Sequence, residues 1–335
     1  MSIRLVSRRN MVRSAGAGIA AALAAQGSEA AQAKPALWSS EYTAKKGSVS
    51  LAMYRKRMGA PKSGETLPVL FLVHGSSLSS RSTFDLTVPG EEYSLMNVFA
   101  RYGYDVWTMD HENYGKSSRT SGNSDIASGA EDLKAGIELV ARETGQQKVH
   151  LFGESSGALR VGVYAMHHPE SIDRLVLAAF TYKGEGSPTL TERAKQLDSY
   201  RAHNTRLRDR AMIRSIFTRD KPGTSDPKLA EILADAELKF GDQVPTGTYL
   251  DMTANLPVVD PTRVLAPVLM LRGEYDGIAT VKDIGEFFMA LPNGDRQFVI
   301  LPGSAHSLAF AINRRPFWHA MQAFLTMPKA VAITT

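Results

Sequence analysis

A serine flanked symmetrically by two glycines is the strongest chemical signal in this sequence. The run GESSG (153–157) directly follows the apolar run KVHLF (148–152) and precedes a helical pattern over 158–167. In a strand–turn–helix setting, G-x-S-x-G predicts a tight turn that presents the serine hydroxyl at a helix N-terminus. We therefore predict Ser155 as a nucleophile, with Ser156 as the competing serine. The alternative is a Gly/Ser loop without chemistry.

A serine hydroxyl needs a neighbouring base to take its proton. His306 lies in GSAHS (303–307), just after the apolar run QFVIL (297–301), where the carboxyl end of a strand is expected. We predict His306 as the general base because the other histidines have local structural explanations or do not follow a strand in this way. These are His74, His111, His150, His167, His168, His203 and His319.

A carboxylate should orient the imidazole and stabilise its cation. Asp276 follows the apolar run VLML (268–271) through a short turn, so it too is expected at the carboxyl end of a strand. Glu274, earlier in that turn, and Asp283, expected inside the next helix, are its rivals. We predict that Asp276 is the partner of His306.

The tetrahedral intermediate of acyl transfer carries an oxyanion that needs preorganised N–H donors. We predict the backbone N–H of Ser156 as one donor. The second is expected from the loop after the apolar run PVLFLV (68–73), at Ser76 first and Ser77 next. The alternative is that His74 and Gly75 merely close a turn there.

Apolar runs alternate with helical patterns along most of the chain. This alternation predicts an α/β fold, with a mostly parallel central sheet and helices on both of its faces. Between 182 and 260 the segments are helical and charged, with no convincing strand, which predicts a helical cap insertion. The predicted strands are 49–54, 68–73, 104–109, 148–152, 174–179, 268–271 and 297–301, and the longest predicted helix covers 127–144. The predicted core is thus 34–181 and 261–335.

The first 33 residues have the order of a signal peptide. Ser7, the pair Arg8-Arg9 and a basic Arg13 precede an apolar, Ala- and Gly-rich stretch, and an Ala-x-Ala pattern (31–33) follows. This order resembles a twin-arginine signal, which implies export of a folded protein to the periplasm or exterior. The apolar stretch is too short to span a bilayer, so we expect no stable membrane anchor.

Charge and composition exclude several classes of function. The chain has 335 residues, a formal net charge of +5 and no cysteine. Four arginines and one glutamate in the predicted signal account for most of the excess, so no nucleic-acid partner is expected. Thiolate nucleophiles and disulfides are excluded. Without a metal-ligand cluster or phosphate loop, we expect neither a metal nor a cofactor.

From residue 67 onwards the chain resembles the α/β-hydrolase superfamily of capped serine esterases. The His-Gly loop, the Ser155 turn, the Gly-x-x-Asp turn and the late His306 occur in the order that this fold uses. The run DHENYGKS (110–117) is similar to the family's D-x-R-G-x-G-x-S turn. Glu112 replaces the usual arginine and Asn113 the usual glycine, which leaves the partner of that arginine in question.

The resemblance implies hydrolysis of a small carboxylic ester through an acyl-enzyme. Serine at the nucleophile position argues against haloalkane dehalogenases and epoxide hydrolases, which carry aspartate there. Lactone, amide or carbon–carbon bond hydrolysis, haloperoxidase-like activity and a non-catalytic binding protein stay as alternatives. Export machinery is expected as a partner through the signal peptide, and the oligomeric state stays open. We predict His74, His111, Tyr182, Phe217, Tyr249 and Met252 as candidates for the pocket wall.

Overall fold

The computed structural model describes residues 36–328, which are built around one eight-stranded sheet. The predicted signal peptide lies outside the described residues. The sheet strands are β1 (Leu37–Lys46), β2 (Val49–Met58), β3 (Val69–Val73), β6 (Asp105–Met109), β7 (Val149–Glu154), β8 (Ile172–Ala178), β11 (Val268–Gly273) and β12 (Arg296–Leu301). Short strands β4 (Thr87–Val88) with β5 (Glu91–Glu92), and β9 (Thr205–Leu207) with β10 (Gln243–Pro245), form two separate pairs.

The sheet order is β1-β2-β6-β3-β7-β8-β11-β12. The pairs β1–β2 and β2–β6 are antiparallel, and all later neighbours are parallel. Six parallel strands therefore end at the same edge of the sheet, where ligands bind in open α/β folds. The predicted fold class is confirmed.

Helices cover both faces of the sheet, as the apolar runs require. In β3, Phe71 belongs to the core cluster on one side of the sheet, while Leu70 and Leu72 belong to the cluster on the other. Helices α3, α4 and α10 contribute to the first cluster, and α1, α2 and α11 to the second. Their bounds are α1 (Ser80–Phe84), α2 (Leu95–Arg101), α3 (Ile126–Thr144), α4 (Ser156–His167), α10 (Val281–Ala290) and α11 (Arg314–Leu325).

Two predictions about strands were wrong. The first strand is β1 at Leu37, not the run at 49–54, which is β2. Strand β1 was missed because as an edge strand it exposes every second residue and carries no continuous apolar run. The segment 182–260, predicted without strands, contains β9 and β10, which are three residues each and too short to give a period-two pattern.

The segment 182–260 otherwise consists of helices and connecting loops. It contains α5 (Pro188–Ala194), α6 (Leu197–Ala202), α7 (Arg210–Thr218), α8 (Pro227–Glu237) and α9 (Gly247–Leu250). The buried side chains of α7 and α8 form an apolar cluster with Leu78, which follows β3, and with Phe310, which follows β12. These two loop residues attach the helices of this segment above the carboxyl ends of the strands.

Candidate active site

Ser155 occupies a strained turn between β7 and α4. Its backbone has φ 60° and ψ −127°, in a region that non-glycine residues rarely adopt. Its N–H donates to the carbonyl of Ala178 at the end of β8 (2.9 Å), which ties the turn to the sheet. A β-carbon at Gly153 would overlap Gly157, and one at Gly157 would overlap the carbonyl of Val73. Both glycines are therefore required by the close approach of the backbones.

His306 and Asp276 meet through a buried hydrogen bond. The Nδ1 atom of His306 lies 2.9 Å from Oδ1 of Asp276, and the N–H of Ile278 donates to the same oxygen at 2.9 Å. Burial opposes the charge of Asp276, but His306, the Ile278 N–H and Arg272 favour it and together hold the pKa of Asp276 below its usual value. Asp276 is thus a carboxylate placed to hold the imidazole with Nδ1 protonated.

The rival carboxylates have other partners. Glu274 is exposed and accepts a hydrogen bond from the N–H of Gly303 (2.8 Å). Asp283 lies inside α10, as expected, and accepts from the N–H groups of Tyr182 and Lys183, at 2.8 Å each. Neither carboxylate contacts His306.

The loop after β3 contacts the Ser155 turn directly. The Ser76 hydroxyl donates to the Ser156 hydroxyl (2.9 Å), and the Ser76 carbonyl accepts from the hydroxyl of Tyr114 (2.9 Å). Ser77 shares a hydrogen bond of 2.7 Å with the hydroxyl of Tyr249. The structure therefore brings Ser76, Ser77 and Ser156 together beside Ser155. Ser156 is fully buried and its hydroxyl is already hydrogen-bonded to Ser76, which distinguishes it from the hydroxyl of Ser155.

His74 and His111 support this loop from below. Both rings are fully buried and stack edge to face with centroids 4.8 Å apart. His74 donates from Nδ1 to the carbonyl of Gly75 (2.8 Å) and accepts at Nε2 from the N–H of His111 (3.2 Å), an arrangement that fits a neutral ring. Burial is the main cause that lowers the pKa of each ring well below its usual value.

The 110–117 turn also supports the loop after β3, and the structure shows which residue pairs with Glu112. Asp110 accepts from the N–H of Ser80 (2.9 Å) and from the hydroxyl of Tyr54 (3.0 Å). Glu112 pairs with Lys46 of β1 at 2.7 Å. Glu112 stands where the similar family motif has arginine, and its charge is balanced by a lysine of the edge strand.

A small cavity of about 50 Å³ lies over Ser155 and His306. The apolar part of its wall is Leu78, Ile216 and Phe310, from the loops after β3 and β12 and from α7. Its polar part also includes Glu154, Arg193 and Arg219. Burial raises the pKa of Glu154 to about 7, although His306 and the N–H of Leu308 oppose this shift.

The six side chains predicted for the pocket wall do not line this cavity. Phe217 and Tyr249 lie one layer behind it, against Phe310 (5.7 Å between ring centroids) and against Ser77. Tyr182 and Met252 pack at the main apolar core. His74 and His111 lie beneath the loop after β3. The wall of the cavity is therefore built from residues other than the six predicted ones.

Sequence reasoning missed Arg193, Arg219 and Glu154. Glu154 stands inside the G-x-S-x-G run, so its position next to Ser155 could have indicated it. Arg193 and Arg219 lie in a segment rich in charged residues, where no pattern distinguishes an arginine over the site from a solvated one. Within residues 36–328, no group of three acidic, histidine or cysteine side chains could hold a metal ion. None of the helices in the described range combines the length and the hydropathy that a transmembrane span needs.

Comparison with curated proteins finds two distant relatives. Lipase 3 of Drosophila melanogaster is 34% identical over 148 residues, which are 39% of this chain and 37% of the lipase, so the chain spans little over a third of that protein. A 2-hydroxy-6-oxononadienedioate/2-hydroxy-6-oxononatrienedioate hydrolase of Paraburkholderia phymatum is 27% identical over 261 residues, which are 74% of this chain and 83% of the hydrolase.

The fold and the family follow from the remaining comparisons. Carboxylesterase CesB from Bacillus subtilis superposes with a TM-score of 0.62 and 19% identity, covering 86% of this chain and 92% of that one. At this identity the superposition shows a common fold. Residues 67–312, which include Ser155, Asp276 and His306, match the family model described as serine aminopeptidase, S33. The chain therefore belongs to the serine aminopeptidase S33 family of hydrolases, within the α/β-hydrolase superfamily.

Proposed function

We propose that this chain hydrolyses a carboxylic ester through an acyl-enzyme on Ser155. The observation that carries the proposal is that Ser155 and His306 line one cavity while His306 is hydrogen-bonded to buried Asp276 at 2.9 Å. A nucleophile, a base and an orienting carboxylate in this arrangement are what acyl transfer requires.

The proposed reaction has two halves. The Ser155 hydroxyl attacks the ester carbonyl carbon while His306 takes its proton, and Asp276 stabilises the imidazolium that forms. The N–H groups of Ser156 and Ser76, or Ser77, donate to the oxyanion. His306 protonates the departing alcohol, then takes a proton from water, which attacks the acyl-enzyme. The bond from the acyl carbon to Ser155 Oγ breaks, His306 returns the proton to Oγ, and the acid is released. No step needs a cofactor.

The small cavity favours short acyl groups. A space of about 50 Å³ holds only a few water molecules. We expect p-nitrophenyl esters of two to six carbons to be cleaved faster than esters of ten or more. The measurement is kcat/KM across the chain-length series for residues 34–335, together with labelling of Ser155 by a fluorophosphonate. Absence of both turnover and labelling would refute the esterase proposal and favour the non-catalytic binding protein.

Amide hydrolysis is the second candidate, because the matched family is described as serine aminopeptidase. An aminopeptidase must bind the α-ammonium group of its substrate, and Arg193 and Arg219 in the cavity wall would repel that cation. Amino-acid p-nitroanilides in the same assay distinguish the two candidates: we expect no cleavage of them.

We further propose that residues 1–33 direct export to the periplasm or exterior. We expect Arg8→Lys with Arg9→Lys to retain the chain in the cytoplasm, because the resemblance is to a signal recognised through its arginine pair. Cell fractionation measures the distribution, and Arg4→Lys is the matched control outside the pair. Equal export of both variants would contradict a twin-arginine signal.

A further inference from the structure

An arginine without a carboxylate partner lies in the wall of the proposed catalytic cavity. Arg193, in α5, lines the cavity together with Ser155 and His306. Its Nη1 atom is buried and has no hydrogen-bond partner among residues 36–328. The guanidinium group lies over the ring of Tyr249, 4.9 Å from the centroid.

Other buried arginines of the chain have acceptors. Arg55 is paired with Asp105 (2.5 Å), and Arg208 is paired with Glu237. Arg160 leaves Nε and Nη1 without a partner, but its Nη2 donates to the carbonyl of Ser124 at 3.0 Å. A buried guanidinium group without an acceptor is costly because its charge loses the hydration of water without compensation. Arg193 therefore differs from these three arginines, each of which has at least one acceptor.

A second cation stands beside Arg193. Arg219, just after α7, lines the same cavity, and its Nε lies 3.4 Å from Oδ1 of Asp220. Both arginines also line a larger open cleft of about 610 Å³, whose wall includes Tyr275 and Asp276. The two arginines thus belong to the wall of the cavity and to the wall of the cleft.

The charge of the wall is predominantly positive. Burial first, and then the nearby charge of Arg219, lower the pKa of Arg193 to about 10, so the guanidinium stays charged at neutral pH. The acid in the cavity wall, Glu154, has its pKa raised to about 7 by burial and is only partly ionised there. An anion in this cavity meets two arginines and little negative charge.

We propose that the substrate of this site carries a carboxylate, which binds to Arg193 with Arg219 beside it. This inference rests on the proposed ester hydrolysis and names its substrate class. The planar guanidinium matches a carboxylate with two parallel N–H···O bonds, and such charge-assisted bonds are the strong ones. The bound carboxylate supplies an acceptor to the Arg193 guanidinium group and holds the ester carbonyl over Ser155.

The test compares esters that differ only in a carboxylate. Ethyl valerate and monoethyl glutarate carry a methyl or a carboxylate at the same place in the acyl group. Propyl acetate and 3-acetoxypropanoate carry a methyl or a carboxylate at the same place in the alcohol group. Proton release at constant pH follows the hydrolysis of all four. In the wild type we expect the anionic member of one pair to have a kcat/KM at least about tenfold higher.

The decisive variant is Arg193→Met, which keeps the apolar contact with Tyr249. We expect it to lower kcat/KM for the preferred anionic ester on the order of 10- to 100-fold more than kcat/KM for the neutral ester of the same pair. Arg193→Lys should retain only part of the preference for the anionic ester, because lysine lacks the paired N–H donors of the planar guanidinium group. Arg214→Met, at an exposed arginine of α7 that pairs with Glu231, is the matched control.

A binding measurement separates this inference from the esterase proposal. Glutarate should raise the thermal midpoint of the wild type and of Arg214→Met but not of Arg193→Met. Without ligand, Arg193→Met should melt no lower than the wild type, since an unpaired buried charge is removed. If neutral esters are cleaved but neither pair shows an anionic preference, the carboxylate inference is wrong. If no ester is cleaved while glutarate still stabilises through Arg193, the anion site stands and the esterase proposal falls.

Discussion

Ser155→Ala is expected to lower kcat for a short p-nitrophenyl ester by about 10⁴-fold or more, a loss of about 5.5 kcal/mol of transition-state stabilisation. Alanine cannot form the acyl-enzyme, so His306 and the N–H donors could act only on direct attack by water. The measurement is initial rate under saturating ester, with active-site concentration fixed by protein mass.

The fold should survive this substitution. Alanine tolerates the backbone of Ser155 about as well as serine does, so we expect the free energy of unfolding to change by less than about 1 kcal/mol. Ser156→Ala is the matched control, because it removes the adjacent hydroxyl but keeps the backbone N–H. We expect it to lower kcat less than tenfold through the lost hydrogen bond from Ser76. A greater loss in Ser156→Ala than in Ser155→Ala would reassign the nucleophile.

Glu237→Gln is expected to lower the free energy of unfolding by about 3–5 kcal/mol. Glu237 is fully buried at the end of α8 and pairs with Arg208. It also accepts from the N–H (3.0 Å) and the hydroxyl (2.7 Å) of Ser79 in the loop after β3. The amide leaves the charge of Arg208 buried without a counter-charge, which is the costly way to break such a pair.

Urea unfolding measures this loss, with Asp235→Asn as the control. Asp235 lies on the same helix and pairs with Arg210 at 2.6 Å, but its side chain is 67% exposed. We expect that variant to lose less than about 1 kcal/mol. Equal stability of the two variants would show that the buried pair does not hold the helical segment to the core.

Glu237 also connects stability to the site. The loop that it holds carries Ser76 and Ser77, whose N–H groups are the proposed oxyanion donors. Arg208 adds a hydrogen bond of 3.3 Å to the carbonyl of Ser77. We therefore expect Glu237→Gln to reduce kcat as well, under conditions where the variant is still folded, while Asp235→Asn leaves the loop in place.

Local patterns were sufficient for the fold class and for the loops that carry Ser155, Asp276 and His306. Each of these residues follows a continuous apolar run, and such runs predict strands buried on both faces. Parallel strands end at one edge of the sheet, so three loops distant in the chain were expected together. The Ser155 turn was predictable because its requirement for Gly153 and Gly157 is local.

The surroundings of these groups, in contrast, depend on contacts between distant parts of the folded chain. The aromatic side chains of the 182–260 segment that were predicted for the pocket wall lie elsewhere. Which side chains face the cavity depends on how this segment packs on the sheet, and helical spacing does not encode that packing. Phe217 packs one layer too deep, while Ile216 beside it lines the cavity.

The charged partners show the same limit. In sequence, Arg193, Arg208 and Glu237 are ordinary residues of a charged helical segment. In the fold, Arg208 and Glu237 neutralise each other in the interior, while Arg193 is left without an acceptor over the site. The candidate reactive groups and the loops that carry them could be read from local patterns in the chain. Burial and the pairing of distant charges, which exist only once the chain is folded, decided the electrostatic character of the cavity they share.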